Sequence, residues 1–319
     1  MGPLSSLRVV EFAGIGPAPF CGMLLADLGA DVVLIERAGG NPSGMTLPRA
    51  LDVMHRGKRS VVLDLKTPQG VRAALTVASR ADVLIEGYRP GVMERLGLAP
   101  DVCLAANPRL VYGRMTGWGQ GGPLAPRAGH DIGYLARSGA LHAIGRREGP
   151  PQIPLNLVGD FGGGALYLAL GVLAGVLHAR ETGQGQVVDA AIVDGVASML
   201  APIYGLMSGG MWRDRRGANV LDSGAPFYDV YETSDGQFVS VGALEPQFYA
   251  QLIDGLGLDP ATLPAQWEFG RWRELRERFA AAFATRTRED WTAVFEGTDA
   301  CVEPVLSLAE AAASGHGRA

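Results

Sequence analysis

The sequence predicts an α/β protein with a Rossmann-like, parallel-sheet large domain and a smaller α+β domain. Three observations carry this prediction. In the first part, β-branched runs alternate with helical segments, as expected of a parallel sheet covered on both faces. Near Ala225 the texture changes to a hairpin followed by amphipathic helices. A Gly- and Ser-containing stretch, Ser208–Ser223, lies between the two. The expected division is residues 1–200 for the large domain, 201–224 for a linker and 225–319 for the small domain.

In chain order, RVVEFA (Arg8–Ala13) reads as a strand, and GIGPAPF leads into the helical CGMLLADLGA. DVVLIE (Asp31–Glu36) is a second strand and SVVLDL (Ser60–Leu65) a third, followed by a helix over Thr67–Ser79. DVLIEGY (Asp82–Tyr88) and RLVYGRM (Arg109–Met115) read as two more strands, and ETGQGQVVDAAIVDG as turn, strand and helix. YDVYETSDGQFVSVGA alternates around Ser234-Asp235-Gly236, a hairpin signal. Gln247–Leu256 and Arg271–Ala284 carry helical spacing, and Trp267, Trp272 and Trp291 suit the core of this region or an interface rather than ligand contacts.

The bulk numbers bound the function. With 319 residues, 47% hydrophobic and 19% charged, the chain is an ordinary globular protein with a large core. A net charge of −5 gives no global attraction to nucleic acid or to anionic membranes. Cys21, Cys103 and Cys301 have neither metal-ligand nor disulfide spacing, which suggests a reducing, cytoplasmic setting. No signal peptide is visible, since MGPLSSL runs directly into the first strand. The apolar run Ala165–Leu177 is shorter than the ~20 residues of a bilayer span and reads as a buried core helix.

Gly14-Ile15-Gly16-Pro17 lacks the third glycine of a dinucleotide fingerprint and reads as a tight turn. Arg37 follows the second strand, where dinucleotide folds meet the ribose and an arginine suits an extra phosphate. His55-Arg56-Gly57-Lys58-Arg59 and then Asp64-Leu65-Lys66 add charge nearby. Such a cluster is either a phosphate site or a solvated basic loop. His130, in GHDIGY, is a candidate proton-transfer group or a solvent-facing loop histidine. Glu245, just before Pro246, can orient an imidazole or cap the next helix. Asp160, ahead of three glycines, is a helix cap or a chemical group.

Taken in order, RVVEFAGIGPAPF, RGKRSVVLDLK, ADVLIEGYRPGVMERLGL, AGHDIGY, PLNLVGDFGGG, GQGQVVDAAIVDG and VGALEPQFY resemble the class III CoA-transferase (CaiB/BaiF) family. Within it the likeness is to racemases of 2-methylacyl-CoA thioesters, and it runs to about Leu306. The resemblance implies the family fold and catalysis by His130 and Asp160 with Glu245 supporting the histidine. It also implies an enolate-stabilising backbone N–H at Asp131. Coenzyme A contacts fall on Arg37, Leu63, Asp64, Leu65, Lys66, Gly129, His130, Asp131, Ile132, Gly133 and Tyr134. No separate cofactor is implied, since coenzyme A is part of the substrate, and the expected assembly is an interlocked homodimer.

The alternatives are a CoA-transferase in which Asp160 attacks as a nucleophile, and an inactive CoA-binding homologue. Gly133 stands where the family commonly has Asn. The chain also ends at SLAEAAASGHGRA, earlier than family members usually do, so apolar surface is expected to be exposed on the large domain.

Overall fold

A computed structural model describes residues 2–39 and 47–315. The chain forms two compact units, one of Met1–Leu141 with Ile153–Tyr204 and one of His142–Gln152 with Gly205–Ala319.

The first unit holds six parallel strands: β1 (Arg8–Phe12), β2 (Asp31–Glu36), β3 (Lys58–Val62), β4 (Val83–Glu86), β5 (Val111–Thr116) and β6 (Gln186–Ala191). Their order is β3-β2-β1-β4-β5-β6, so the sheet reverses direction of winding between β1 and β4. Helices α1 (Pro17–Asp27), α2 (Pro68–Ala78), α3 (Val92–Arg95) and α4 (Pro100–Ala106) alternate with the strands. They are followed by α5 (Asp131–Ser138), α6 (Ala140–Ala143), α7 (Tyr167–Thr182), α8 (Ile192–Met199) and α9 (Ala201–Ser208).

The parallel-sheet expectation is met, and the reason is visible in the strands. Successive side chains point to opposite faces, so a strand covered on both sides must be apolar throughout. In β4, Val83 and Ile85 enter the core with α1, α7 and α8, while Leu84 enters the core with α2 and α4. Strand β3 stops at Val62 rather than Leu65. Asp64 accepts the Lys66 N–H at 3.0 Å, and the Thr67 hydroxyl accepts the Gly70 N–H at 3.1 Å, capping α2. Leu63, Asp64, Leu65 and Lys66 therefore form a turn beyond the strand.

Strand β3 begins at Lys58, two residues before the expected start at Ser60, and carboxylates from earlier elements take up the charges of the basic run. Arg56 pairs with Asp27, Arg59 with Asp31, and His55 with Asp52. Lys58 is buried 2.7 Å from Glu11 on β1 and donates to the Pro19 carbonyl at 2.8 Å. These pairings tie the run to α1, β1 and β2.

The helix after Asp160 departs furthest from its expected form. It begins as a π-helix, Leu157–Leu166, and continues into α7, 26 helical residues that include an 18-residue window of mean hydropathy 1.6. By length and composition it is long enough to cross a membrane, contrary to the expected short run. Leu168, Val172, Val176 and Ala179 fill the core. Leu166, Leu170 and Leu177 on other faces are 52%, 67% and 70% exposed, so the helix is not buried all round.

In the second unit, β7 (Tyr228–Glu232), β8 (Phe238–Gly242) and β9 (Val302–Pro304) make an antiparallel sheet in the order β7-β8-β9. The expected hairpin pairs Tyr228 with Gly242 and Glu232 with Phe238. Helices α10 (Pro246–Gly255), α11 (Trp272–Phe283), α12 (Arg288–Phe295) and α13 (Leu308–Ser314) complete the unit. Trp272 and Trp291 are buried with Phe279 and Phe283, whereas Trp267 is half-exposed against the Phe227 ring. Segment 142–152 joins this unit through Arg146, which pairs with the buried Asp229 that also holds Arg276.

Candidate active site

Open α/β sheets bind ligands beyond the carboxyl ends of their strands, at the point where strand order reverses. Here that point lies between β1 and β4. The turn after β1 contains Gly16, the residue before α1, with φ +68°. A Cβ at Gly16 would lie 3.3 Å from Asp160 Oδ2, so the Asp160 carboxylate stands directly against this turn.

The π-helical winding explains how Asp160 reaches that place. The Phe161 N–H bonds to the Asn156 carbonyl, five residues back, and the turn is wider than in an α-helix. Asp160 is consequently inside the first turns of the helix, not at its cap; the residue before the helix is Asn156, and no side chain caps it. The Asn156 side chain instead lies near the Asp160 carboxylate and favours its ionised form.

His130 occupies the residue before α5 in an extended conformation and is exposed. Its carbonyl accepts the Gly133 N–H at 2.8 Å, which starts the helix. The N–H of Asp131, first in α5, has no intrahelical partner and lies at the positive end of the helix dipole. Asp131 itself is buried, and its Oδ1 accepts the Asp160 N–H at 2.6 Å. Residue 159 must be glycine, since a Cβ there would fall 2.2 Å from Asp131 Oδ1.

These contacts bring His130, Asp131 and Asp160 together. Partial burial pushes the Asp160 carboxyl up to about 6, with Asp131 adding to the rise and Asn156 and His130 opposing it. Burial also pushes the Tyr134 hydroxyl up to about 12, helped by Asp160 and opposed by Arg89. Arg89 follows β4 at the winding reversal and is exposed. Sequence reasoning missed it, although its place in GYRPG after a strand was the available signal.

Of the remaining expected contacts, Gly129 and Tyr134 are packed together: a Cβ at Gly129 would meet the Tyr134 ring at 2.6 Å. The Tyr134 ring is buried edge-on to Trp118 at 4.7 Å between centroids. Ile132 is 44% exposed, and nothing lies within 4 Å of a Cβ built on Gly133. Arg37 follows β2 and acts electrostatically on Tyr88, next to Arg89. Lys66 is exposed beyond β3. Glu245 belongs to the second unit, exposed in the position before α10 and without a capping hydrogen bond.

The sequence pattern of CoA-transferase family III matches residues 4–319. The chain belongs to that family. Relatives within it include the alpha-methylacyl-CoA racemase of Mus musculus, 47% identical over 99% of this chain and 81% of the relative. The alpha-methylacyl-CoA racemase of Homo sapiens is 46% identical over the same shares. The crystal structure of a CAIB/BAIF family protein from Brucella suis superposes with a TM-score of 0.81 at 27% identity, covering 98% of this chain and 86% of that one.

Proposed function

We propose that the chain is a racemase interconverting (R)- and (S)-2-methylacyl-CoA thioesters. The observation that supports this reading is the Asp160 carboxyl, part-buried against the turn after β1 and near His130, where burial pushes it up to about 6. A proton α to a thioester is weakly acidic, and its removal needs a placed base and stabilisation of the enolate oxygen. One of the pair takes the α-proton; the C–H electron pair forms the enolate C=C bond and the carbonyl π pair moves onto the thioester oxygen. The other group then delivers a proton to the opposite face of the planar enolate. For the reverse reaction the two exchange roles.

The Asp131 N–H, at the start of α5, is the donor to the thioester oxygen. General acid–base catalysis contributes roughly 10²–10⁴-fold, so enolate stabilisation by this amide must contribute alongside it. Arg37, Lys66 and residues Gly129–Tyr134 hold coenzyme A, and the chain's own side chains and backbone amide do the chemistry. Glu245 orients His130 and stabilises its protonated form. We assign the pairing of Glu245 with His130 to an interlocked homodimer, as the family resemblance implies, which a monomeric active species in light scattering would refute. We also assign the enzyme to the cytoplasm.

A second reading is favoured by the partial exposure of Asp160. In it the Asp160 carboxylate attacks an acyl-CoA as a nucleophile and the chain transfers coenzyme A between acids. Incubation of a 2-methylacyl-CoA in D₂O separates the two. The racemase incorporates α-deuterium without an added acid. Coenzyme A exchange stimulated by a free acid, with no α-deuterium, replaces the first reading by the second.

A further inference from the structure

Acidic residues in the first turn of a helix are usually exposed, where they complement its dipole. Asp131 is 7% exposed, and its Oδ2 is buried with no hydrogen-bond partner. Its Oδ1 receives the Asp160 N–H at 2.6 Å, and the Gly159 N–H also points at the carboxylate. No ion pair joins Asp131 to a cation among the described residues. Burying a carboxylate without a cation is costly. An asparagine would accept the same two N–H groups without that cost, so the tether alone does not account for the charge.

The surroundings limit what else the charge can serve. From α5 and its preceding residue come His130 and Tyr134, and from the π-helix come Asn156 and Asp160. Helix α1 brings the Gly16 backbone, while its Asp27 is engaged by Arg56 and its Cys21 is buried beside Glu11. The one ionisable group of α8, Asp194, is exposed and acts on Asp189 of β6. On β5, Arg114 is bound between Glu86 and Glu94. Helix α7 carries Tyr167, His178, Arg180 and Glu181, of which only Tyr167 lies in the turn that continues the π-helix. Arg89 acts on Tyr134.

We propose that the Asp131 side chain is a positioning residue for Asp160, which it holds by the backbone and whose protonation it biases through its own negative charge. This rests on the racemase reading for its purpose. The tether ties the first N–H of α5, the thioester donor, to the residue that faces the α-carbon. The two parts of the site then move as one piece. The like charge disfavours the ionised Asp160, adding to the effect of its burial, so Asp160 keeps a transferable proton closer to neutral pH.

The test compares wild type with Asp131→Asn and Asp131→Ala. Asparagine keeps the acceptor and removes the charge; alanine removes both. Two readouts are taken: the pH profile of α-proton exchange in D₂O, and the titration of Asp160 in the free enzyme by carboxyl ¹³C NMR, assigned with Asp160→Asn. In Asp131→Asn the Asp160 titration and the matching limb of the profile move down by roughly half a unit to one unit. In Asp131→Ala kcat falls by about ten- to a hundredfold with little change in KM, and Asn recovers most of that loss. An Asp160 titration that is the same in wild type and Asp131→Asn overturns the proposal. Absence of exchange by wild type refutes the racemase reading alone, because the NMR titration still decides the role of Asp131. Near-ultraviolet circular dichroism confirms that each variant is folded.

Discussion

Gly16 and Asp160 meet so closely that a single methyl group on residue 16 would lie 3.3 Å from the Asp160 carboxylate oxygen. The turn after β1 thus serves as the wall against which the proposed acid/base group rests. Gly16→Ala adds a methyl at that wall and forces a side chain into φ +68°, ψ −121°. The backbone strain costs about 1–3 kcal/mol, and displacement of the carboxylate lowers kcat by at least tenfold. Denaturant unfolding and steady-state kinetics on one preparation read the two effects separately.

Asp160 also affects stability. Its carboxyl is raised from 3.8 to about 6 in the fold, chiefly by burial, so the folded chain binds the proton more tightly than the unfolded chain. Stability then falls as pH rises from about 4 to about 6, and the deficit is complete above that. Asp160→Asn removes it. The variant is expected to be more stable than wild type at pH 7.5 by about 1–2 kcal/mol, allowing for partial exposure, and equal to it near pH 4. Urea unfolding at the two pH values checks this, and the same variant is inactive in racemisation.

The buried pair of Lys58 and Glu11 makes a separate prediction. Burial pushes the Glu11 carboxyl up to about 7, opposed by Lys58. Lys58→Met leaves that carboxylate without its cation at pH 8 and costs about 3–5 kcal/mol. Adding Glu11→Met to Lys58→Met recovers most of the loss, since a buried pair is often replaceable by apolar groups of similar size. Urea unfolding of the two single variants and the double variant completes the cycle.

The parallel sheet was legible because β-branched runs over Arg8–Phe12, Asp31–Glu36 and Val83–Glu86 have to be apolar on both faces. Motif order singled out His130 and Asp160, which the structure brings near each other. Other features depended on contacts distant in sequence. The charges of Arg56, Lys58 and Arg59 looked free because Asp27, Glu11 and Asp31, which meet them, lie about thirty to fifty residues earlier in sequence. The pairing of Arg146 with Asp229 spans 83 residues and leaves no local sign. The π-helix was invisible because a run of Gly and Leu has no periodicity to distinguish it from an α-helix. For the same reason a capping role for Asp160 stayed open in the sequence, whereas the structure sets it inside the helix. The Asp131 carboxylate was passed over because an acid in the first turn of a helix is ordinary; its burial is not.

The central claim is that His130 and Asp160 serve opposite faces of one enolate. It is tested most directly by following α-proton exchange in D₂O from each enantiomer of a 2-methylacyl-CoA separately, with wild type, His130→Ala and Asp160→Ala. Wild type is expected to exchange and racemise both enantiomers. Each variant should lose racemisation yet keep measurable exchange from one enantiomer, the two variants retaining opposite ones. Racemisation that survives either substitution, or both variants retaining exchange from the same enantiomer, would contradict the two-sided assignment.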